Sequence, residues 1–250
     1  MAKKLSGMFP KHRVYVEPFA GGAAVFFHKP LAKVSVIADH DKWLTDFYKS
    51  VRRGKLRECS GGIKQSKDLF RRTKKNRQAC YKLANTILSF HGNRQGYAPS
   101  QAKHGKVVLA GKLRRVSDYE NKLKHAWIGT GDFAKVMKRF DAIDAVHFLD
   151  PPWPMKYSEY YKGGKGYKGP KDPSKKYIGT AFDPEHVKKV SKGMKGHVVI
   201  IINDTPKLRR LYCKDRSFKC KTVMAHTNVG FGNRNKFIKN LVITKPARRR

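Results

Sequence analysis

The stretch VYVEPFAGGAAVFF, residues 14–27, decides the fold of this chain. It begins as a short apolar strand, and its two glycines form a tight turn that leads into a helix rich in small residues. Glycine lets a ligand approach the backbone closely. A second apolar strand, residues 34–38, ends in Asp39, where a carboxylate can hold the two hydroxyls of a ribose. This order of elements predicts a site for a cofactor that carries adenosine.

Two features of the turn bear on which cofactor it holds. The turn lacks the complete Gly-x-Gly-x-x-Gly pattern, and Glu17 stands where it would repel a pyrophosphate. A nicotinamide dinucleotide is therefore disfavoured. S-adenosylmethionine, with its positive amino and sulfonium groups, fits better, and we predict that Glu17 belongs to its site.

Asp150-Pro151-Pro152-Trp153 follows the apolar run 145–149 and is a second candidate site at a strand end. The exocyclic amine of a nucleobase is a poor nucleophile because its lone pair is delocalised into the ring. Asp150 and the carbonyl of Pro151 can accept both amine hydrogens, and the prolines add no competing donors. Trp153 offers a face on which an extruded base can stack. The alternative is an ordinary strand-ending turn with Trp153 packed beneath it.

Four segments, in order, resemble the Dam-like family of adenine-specific DNA methyltransferases: Glu17 to Phe27, Ala38-Asp39, Gly131-Asp132-Phe133 and Asp150 to Trp153. That family has a glycine-rich first motif and a later Asp-Pro-Pro-aromatic motif. Further segments look like its target-recognition and C-terminal parts: Asn93 to Tyr97, Asn203-Asp204 and Lys236 to Thr244.

The resemblance implies a role for each matching residue. The residues it assigns to S-adenosylmethionine are Phe19, Gly21 and Gly22 at the methionine side, Asp39 at the ribose, and Asp132 and Phe133 at the adenine ring. The residues it assigns to the flipped target adenine are Asp150, Pro151, Pro152 and Trp153.

The chain departs from the family pattern at three places. The first motif reads Gly21-Gly22-Ala23, with a small residue where the family often has a second glycine. Trp153 replaces the commoner tyrosine, and this aromatic also resembles the motif of RNA adenine methyltransferases. Residues 1–11 lack the family's N-terminal segment that helps to hold the cofactor, which puts activity in doubt more than fold.

Short apolar runs alternate with helical patterns along the chain, which is typical of an α/β protein with a mostly parallel sheet. Strands are predicted near residues 13–18, 33–38, 126–130, 145–149 and 197–203, and helices near 41–53, 132–139, 183–194 and 205–212. Two last strands, about 219–229 and 236–244, are predicted to form an antiparallel hairpin. We predict a Rossmann-like methyltransferase fold, with a catalytic domain of residues 1–54 and 125–250, a helical target-recognition insert of residues 55–124, and a basic mobile loop of residues 155–180.

Nucleic-acid contacts are predicted in the insert and in the loop. The candidate residues are Arg71, Arg72, Lys74 and Lys75 on a helix face, Arg94, Gln95 and Tyr97 on the following segment, and Lys162, Lys165 and Lys168 in the loop. Basic side chains suit phosphate, and planar Arg or Gln heads suit base edges. The alternatives are a solvated charged face, a positioning or packing role, and a plain linker.

The composition restricts the class of partner that the chain is expected to bind. The 250 residues include 56 Lys and Arg against 18 Asp and Glu, a formal net charge of +38 that favours a polyanion, most naturally DNA, with RNA open. No apolar run is long enough to span a bilayer, so we expect a soluble intracellular protein without membrane contact. The four cysteines have no metal-binding spacing, so we expect no metal and reduced, packing thiols.

These observations favour direct transfer of a methyl group from S-adenosylmethionine to the N6 amine of adenine in DNA. No cysteine stands beside the Asp-Pro-Pro turn, which argues against carbon methylation of cytosine. Two alternatives remain open: an RNA adenine methyltransferase, and a nucleic-acid-binding protein that has kept the fold and lost turnover.

Overall fold

The computed structural model describes residues 1–56, 82, 115–152, 183–227 and 236–248. Its strands are β1 Val14–Glu17, β2 Val34–Asp39, β3 Ala126–Thr130, β4 Ala145–Leu149, β5 His197–Asn203, β6 Lys219–Thr227 and β7 Lys236–Lys245. The helices are α1 Ala2–Ser6, α2 Ala24–His28, α3 Lys42–Arg52, α4 Val116–Lys124, α5 Phe133–Arg139, α6 Pro184–Gly193 and α7 Pro206–Cys213.

The strands form one sheet in the order β3-β2-β1-β4-β5-β7-β6. Strand β1 runs parallel to β2 and β4, and β4 runs parallel to β5. Strand β7 is reversed and pairs antiparallel with both β5 and β6. Strands buried on both faces read as nearly continuous apolar runs, which is why β4 and β5 were recognisable in the sequence. The predicted fold class is confirmed in its sheet: this is an α/β protein whose sheet is mostly parallel, with an antiparallel C-terminal hairpin.

Helices α5, α6 and α7 supply the core on one face of the sheet. Its buried members include Met137 from α5, Val187 and Val190 from α6, Leu208 and Tyr212 from α7, and Leu149, Ile200, Ile202, Leu241 and Ile243 from the strands. On the opposite face, the Phe9 ring lies 5.8 Å from the ring of Tyr15 and 5.7 Å from that of Phe148, measured between centroids. Both faces of the sheet centre are therefore covered.

Each of these three helices begins at a side-chain cap. Asp132 accepts the Lys135 N–H at 3.0 Å, and Asp183 accepts the Glu185 N–H at 2.9 Å. Thr205 caps α7 in the same way. Such caps satisfy amide groups that have no partner inside the helix, so the sequence fixes where each helix begins after its preceding segment.

The contacts divide the chain into two compact units, Met1–Asp41 with Gly129–Arg250, and Lys42–Ile128. In the second unit, α3 packs on α4, and Lys82 Nζ lies 5.0 Å from the centroid of the Trp43 ring. Most of the predicted insert and all of the predicted basic loop lie outside the described residues. The domain limits taken from the sequence therefore stay predictions.

Cys213 and Cys220 form a disulfide, with Sγ atoms 2.11 Å apart and Cα atoms 5.7 Å apart. The expectation of reduced cysteines is wrong for this pair. The chain turns between the end of α7 and the start of β6, and this turn brings the two side chains together although their spacing fits no familiar motif. The disulfide fastens the hairpin to the helix before it.

Candidate active site

The predicted site residues gather at one edge of the sheet. The carboxyl ends of parallel strands meet at the same edge, where ligands bind in open α/β folds. The glycine turn follows β1, Asp39 ends β2, and Asp150 follows β4. All of these residues belong to the unit formed by Met1–Asp41 and Gly129–Arg250.

The glycine turn is strained and open. Gly21 has a φ of 45° and Ala23 a φ of 47°, both in the left-handed region. Glycine adopts this region at no steric cost, whereas the conformation is strained for Ala23. A Cβ added to Gly21 or to Gly22 would meet no atom within 4 Å among the described residues. The backbone here faces space that a ligand can enter.

Asp39 holds this turn in place. Its Oδ2 accepts the Gly21 N–H at 3.0 Å, and its Oδ1 accepts the Asp41 N–H at 3.0 Å. The Ala20 N–H donates to the Ala38 carbonyl at 2.9 Å and adds a second link. Each carboxylate oxygen has a further lone pair, so Asp39 can order the turn and still accept ribose hydroxyls.

Two aromatic residues predicted for the cofactor site lie in contact. The rings of Phe19 and Phe133 stack with centroids 5.1 Å apart and planes 29° apart. His186 meets Phe133 edge-on at 5.3 Å. Phe19 and Phe133 are partly buried against the core below α5 and α6. They form an apolar wall beside the strand ends.

Gly131 and Asp132 connect β3 to this wall. The Gly131 N–H donates to the Asp39 carbonyl at 3.1 Å, so the segment is tied to the end of β2. Gly131 has a φ of 155°, and a Cβ there would again meet no described atom within 4 Å. Asp132 caps α5 through its Oδ1. Its position thus has a structural reason in addition to the predicted contact with an adenine ring.

Glu17 is buried, with only 2% of its surface exposed. Its Oε2 accepts the hydroxyl of Tyr15 at 2.7 Å and the N–H of Phe26 at 3.1 Å. Burial raises the pKa of the Glu17 carboxyl to about 8, with a smaller rise from the charge of Asp150, although the hydrogen bonds from Tyr15 and Phe26 and the charge of Lys29 lower it. Glu17 is therefore largely protonated at neutral pH. It links β1 to the first turn of α2.

Lys29 and Tyr15 are parts of this network that the sequence reasoning missed. Lys29 is 4% exposed, its Nζ lies 4.4 Å from the centroid of the Tyr15 ring, and it donates to the Pro30 carbonyl at 2.6 Å. Tyr15 and Glu17 share a face because they are two residues apart on a strand. That spacing could have indicated their contact, whereas nothing in the sequence marks Lys29 as buried.

Asp150 and the prolines form the second part of the site. Asp150 is exposed to solvent, Pro151 is buried and Pro152 is exposed. Desolvation of the carboxyl group by the surrounding protein raises the pKa of Asp150 to about 6, although the residue also has surface exposed to solvent. A carboxyl of this kind is ionised at neutral pH and can act as a hydrogen-bond acceptor.

The remaining predicted site residues lie outside the described residues. They are Trp153 of the catalytic turn, and Arg71, Arg72, Lys74, Lys75, Arg94, Gln95, Tyr97, Lys162, Lys165 and Lys168 of the nucleic-acid candidates. The structure thus brings together the predicted cofactor residues and the first three residues of the catalytic turn, and it leaves the stacking and recognition residues as predictions.

Residues 1–102 match the model of the D12 class N6 adenine-specific DNA methyltransferase family. The resemblance predicted from the sequence is confirmed. The matched part contains the glycine turn and Asp39, whereas the Asp150 turn lies beyond it. The match supports a methyltransferase.

Comparison with solved structures finds distant likenesses. One is a proposed RNA methyltransferase from Pyrococcus horikoshii, with 10% identity and a TM-score of 0.42 over 99% of this chain and 81% of that chain. Another is an rRNA methylase from Streptococcus thermophilus, with 11% identity and a TM-score of 0.37 over 99% of this chain and 96% of that chain. No functional assignment rests on likenesses this weak. No curated protein matches the chain.

The described residues show neither a membrane-spanning helix nor a cluster of metal-binding side chains. They contain no helix that is both long and apolar enough to cross a membrane. They also contain no group of three or more His, Cys, Asp or Glu side chains placed to hold a metal ion.

Proposed function

We propose that this chain transfers a methyl group from S-adenosylmethionine to the N6 amine of an adenine in DNA. The observation that carries the proposal is the open glycine turn, fixed by Asp39, at the end of the strand next to the one that ends in Asp150. Strands β1 and β4 are paired neighbours, and paired strands lie about 4.8 Å apart. A methyl donor and its acceptor therefore have binding groups on adjacent strand ends.

The residues at the glycine turn suit S-adenosylmethionine. Gly21 and Gly22 leave room at the backbone, Asp39 offers acceptors for ribose hydroxyls, and the wall of Phe19 and Phe133 suits an adenine ring. The cofactor supplies a methyl group that its sulfonium centre makes electrophilic. Glu17 would neutralise the positive charge of such a ligand. An approaching cation lowers the pKa of a buried carboxyl and so favours its ionised form.

Asp150 and the Pro151 carbonyl would orient the target amine. An ionised carboxylate accepts hydrogen bonds only, so Asp150 above about pH 6 can hold one amine hydrogen while the Pro151 carbonyl holds the other. The nitrogen lone pair is then turned away from the ring plane. The methylated amine must lose a proton, and a carboxylate with a pKa near 6 is a suitable acceptor for it. Trp153 would stack on the base.

The choice of DNA rests on the family match and on charge. The matching family is named for adenine in DNA, and a net charge of +38 favours a polyanionic substrate. We assign phosphate and base contacts to the residues predicted from the sequence in the insert and in the basic loop. These segments are proposed as the target-recognition part of the enzyme.

The test uses the full chain with methyl-labelled S-adenosylmethionine and separate pools of duplex DNA and RNA. We expect label in DNA and, after digestion, N6-methyladenine as its only carrier. Asp150→Ala should lower transfer by at least about 100-fold, because removal of one preorganised polar group at a reacting centre commonly costs this much. Asp144→Ala is the matched control, since Asp144 is an exposed carboxylate 3.8 Å from Arg13 and away from the site.

Each other outcome has a definite meaning. Label in RNA alone would replace the DNA substrate by RNA. Binding of nucleic acid with no transfer and no binding of S-adenosylmethionine would leave the nucleic-acid-binding protein. Full activity of Asp150→Ala would remove the proposed mechanism.

A further inference from the structure

Three carboxyl groups lie on one face of the sheet at its carboxyl edge. Glu17 of β1 is paired with Ile37 of β2, two residues before Asp39. One further step of the pairing between β1 and β4 puts Glu17 beside Phe148, two residues before Asp150. Paired residues share a face, and so do residues two apart on a strand. Glu17 therefore lies between the carboxyl group that ends β2 and the one that follows β4.

Glu17 is the buried member of the three. Only 2% of its surface is exposed, whereas Asp39 is half-buried and Asp150 is exposed to solvent. Both hydrogen bonds to Glu17, from the Tyr15 hydroxyl and the Phe26 N–H, go to Oε2, and Oε1 accepts none from the described residues. Burial beside a like charge favours the neutral form of a carboxyl group, so Glu17 keeps its proton at neutral pH.

The titratable groups around Glu17 do not replace this proton. They are Tyr15 on β1, Asp39 on β2, Asp150 after β4, Lys29 after α2, and His12, whose ring centroid lies 6.1 Å from that of Tyr15. Lys29 lowers the pKa of Glu17, but burial outweighs its effect. Burial also lowers the pKa of His12, which is therefore largely neutral at pH 7. A further positive charge is needed before Glu17 ionises.

S-adenosylmethionine would bring such a charge, and its demethylated product would not. S-adenosylhomocysteine lacks both the methyl group and the positive charge of the sulfonium sulfur. The glycine turn that we assign to both molecules follows Glu17 in the chain, with Gly21 held by Asp39. Charges interact strongly across a poorly solvated interior, so a cation at this turn favours the Glu17 carboxylate without touching it.

We propose that Glu17 releases its proton when S-adenosylmethionine binds and takes up a proton when the methyl group is transferred. This inference rests on the proposed function and extends it to the fate of the amine proton. The carbon–nitrogen bond forms, and the carbon–sulfur bond breaks with its electron pair left on sulfur. The amine proton passes to Asp150 and then to Glu17, the stronger base of the two once the sulfonium charge is gone. The net charge of the site stays the same, because a sulfonium cation and a carboxylate become a neutral sulfur and a neutral carboxyl group.

The first test compares S-adenosylmethionine with S-adenosylhomocysteine on the full chain without nucleic acid. Calorimetry at pH 7, in two buffers of different ionisation enthalpy, gives the number of protons released for each ligand bound. Wild type should release about one proton more than Glu17→Gln on binding S-adenosylmethionine, and the two chains should agree for S-adenosylhomocysteine. Protons that come from the ligand itself cancel in this difference.

The affinity for S-adenosylmethionine should depend on pH in the matching direction. A ligand that displaces a proton binds more tightly as the pH rises. The affinity of wild type relative to Glu17→Gln should therefore rise by up to about tenfold for each unit towards pH 8 and then level off. For S-adenosylhomocysteine this ratio should stay constant. Glu120→Gln is the matched control and should behave like wild type, because Glu120 is also 2% exposed and belongs to the other compact unit.

The second test follows the uptake of the proton in wild type and does not depend on a variant. The preformed complex with S-adenosylmethionine is mixed with DNA in weak buffer at pH 7, and a pH indicator follows a single turnover. Wild type should release almost no proton for each methyl group transferred, whereas a site without an internal acceptor would release about one. The complex with S-adenosylhomocysteine, mixed with the same DNA, gives the background.

Failure of the inference can be distinguished from failure of the proposed function. Equal proton release by wild type and Glu17→Gln on binding S-adenosylmethionine would overturn the inference and leave the function. Release of a proton for each methyl group that wild type transfers would do the same. No binding of S-adenosylmethionine and no transfer to DNA would overturn both.

Discussion

Asp141 at the amino edge of the sheet and Asp150 at the carboxyl edge have pKa values shifted in opposite directions. At the amino edge, Asp141 accepts bonds from His147 Nε2 at 3.2 Å, the Lys195 N–H at 2.8 Å and the Gly196 N–H at 3.0 Å. Burial alone would raise the pKa of Asp141, but these bonds outweigh it and lower that pKa to about 2. At the carboxyl edge, desolvation of the carboxyl group by the surrounding protein raises the pKa of Asp150 to about 6.

Lys245 and two asparagines follow the same contrast, whereas His147 Nδ1 and Ser191 Oγ, towards the amino edge, are buried without a partner among the described residues. Lys245, 6% exposed at the amino edge, donates to the Met194 carbonyl at 2.7 Å and to the Gly196 carbonyl at 2.9 Å. At the carboxyl edge, Asn203 and Asn240 have buried oxygens without partners among the described residues. Buried polar groups with hydrogen-bond partners stabilise a fold, whereas those without a partner call for an explanation. The bonds of Asp141 and Lys245 stabilise the amino edge, and the carboxyl edge is the one that we propose for the chemistry.

The largest expected effect is on methyl transfer, and it distinguishes Asp150 from Asp141. Asp150→Ala should lower methyl transfer by at least about 100-fold with little change in stability. Asp141→Ala should destabilise the chain by about 2–4 kcal/mol, since it leaves His147 and two amides without their acceptor. Chemical denaturation and the transfer assay measure both quantities. The comparison fails if Asp141→Ala proves as stable as wild type, or if its activity falls while its fold is intact.

The pH dependence of stability tests the raised pKa of Glu17, at the carboxyl end of β1. Burial raises the pKa of Glu17 from 4.5 to about 8, so the folded chain keeps a proton that the unfolded chain releases between these values. Its contribution to stability is complete below pH 4.5, falls as the pH rises and is lost above about 8. This contribution to the free energy of unfolding is a few kcal/mol, because each unit of pKa difference corresponds to about 1.4 kcal/mol.

Glu17→Gln should remove this dependence, because glutamine can still accept bonds from Tyr15 and Phe26 but does not titrate. Urea denaturation of wild type and Glu17→Gln at pH 5, 6, 7 and 8 gives the free energy of unfolding of each protein. Titrations that the two proteins share cancel in the difference between these free energies. If the free energy of unfolding changed with pH equally in the two proteins, Glu17 would be ionised in the folded chain. If Glu17 also answers the charge of the cofactor, the variant should bind S-adenosylmethionine more weakly by calorimetry.

Much of the fold could be predicted from local sequence. The runs at residues 145–149 and 197–203 are apolar because their strands are buried on both faces, and the strand–turn–helix of residues 14–27 is a local pattern. For the same reason the glycine turn and Asp39 were recognised, since they contact each other within one β-α-β segment.

The features that the sequence did not indicate depend on contacts between distant residues. Asp141 binds Gly196 across 55 positions, and Asn203 faces Asn240 only after β7 has reversed. The burial of Glu17 depends on the packing of α2, so its raised pKa could not be read from its neighbours in the chain. The Cys213–Cys220 disulfide likewise requires the turn between α7 and β6.

The smallest expected effect compares two glycines. A Cβ on Gly196 would lie 2.7 Å from the carbonyl oxygens of both Ala142 and Ala145, so Gly196→Ala forces a backbone shift and should cost about 1–3 kcal/mol. Gly22→Ala meets no described atom within 4 Å and should change stability by less than about 0.5 kcal/mol. Because that added methyl group would stand where the backbone approaches the cofactor, Gly22→Ala should weaken binding of S-adenosylmethionine by about 10-fold or more, whereas Gly196→Ala should not. Thermal melts and calorimetry decide both points, and a Gly22→Ala chain that binds S-adenosylmethionine like wild type would show that the open space at the turn is not the cofactor site.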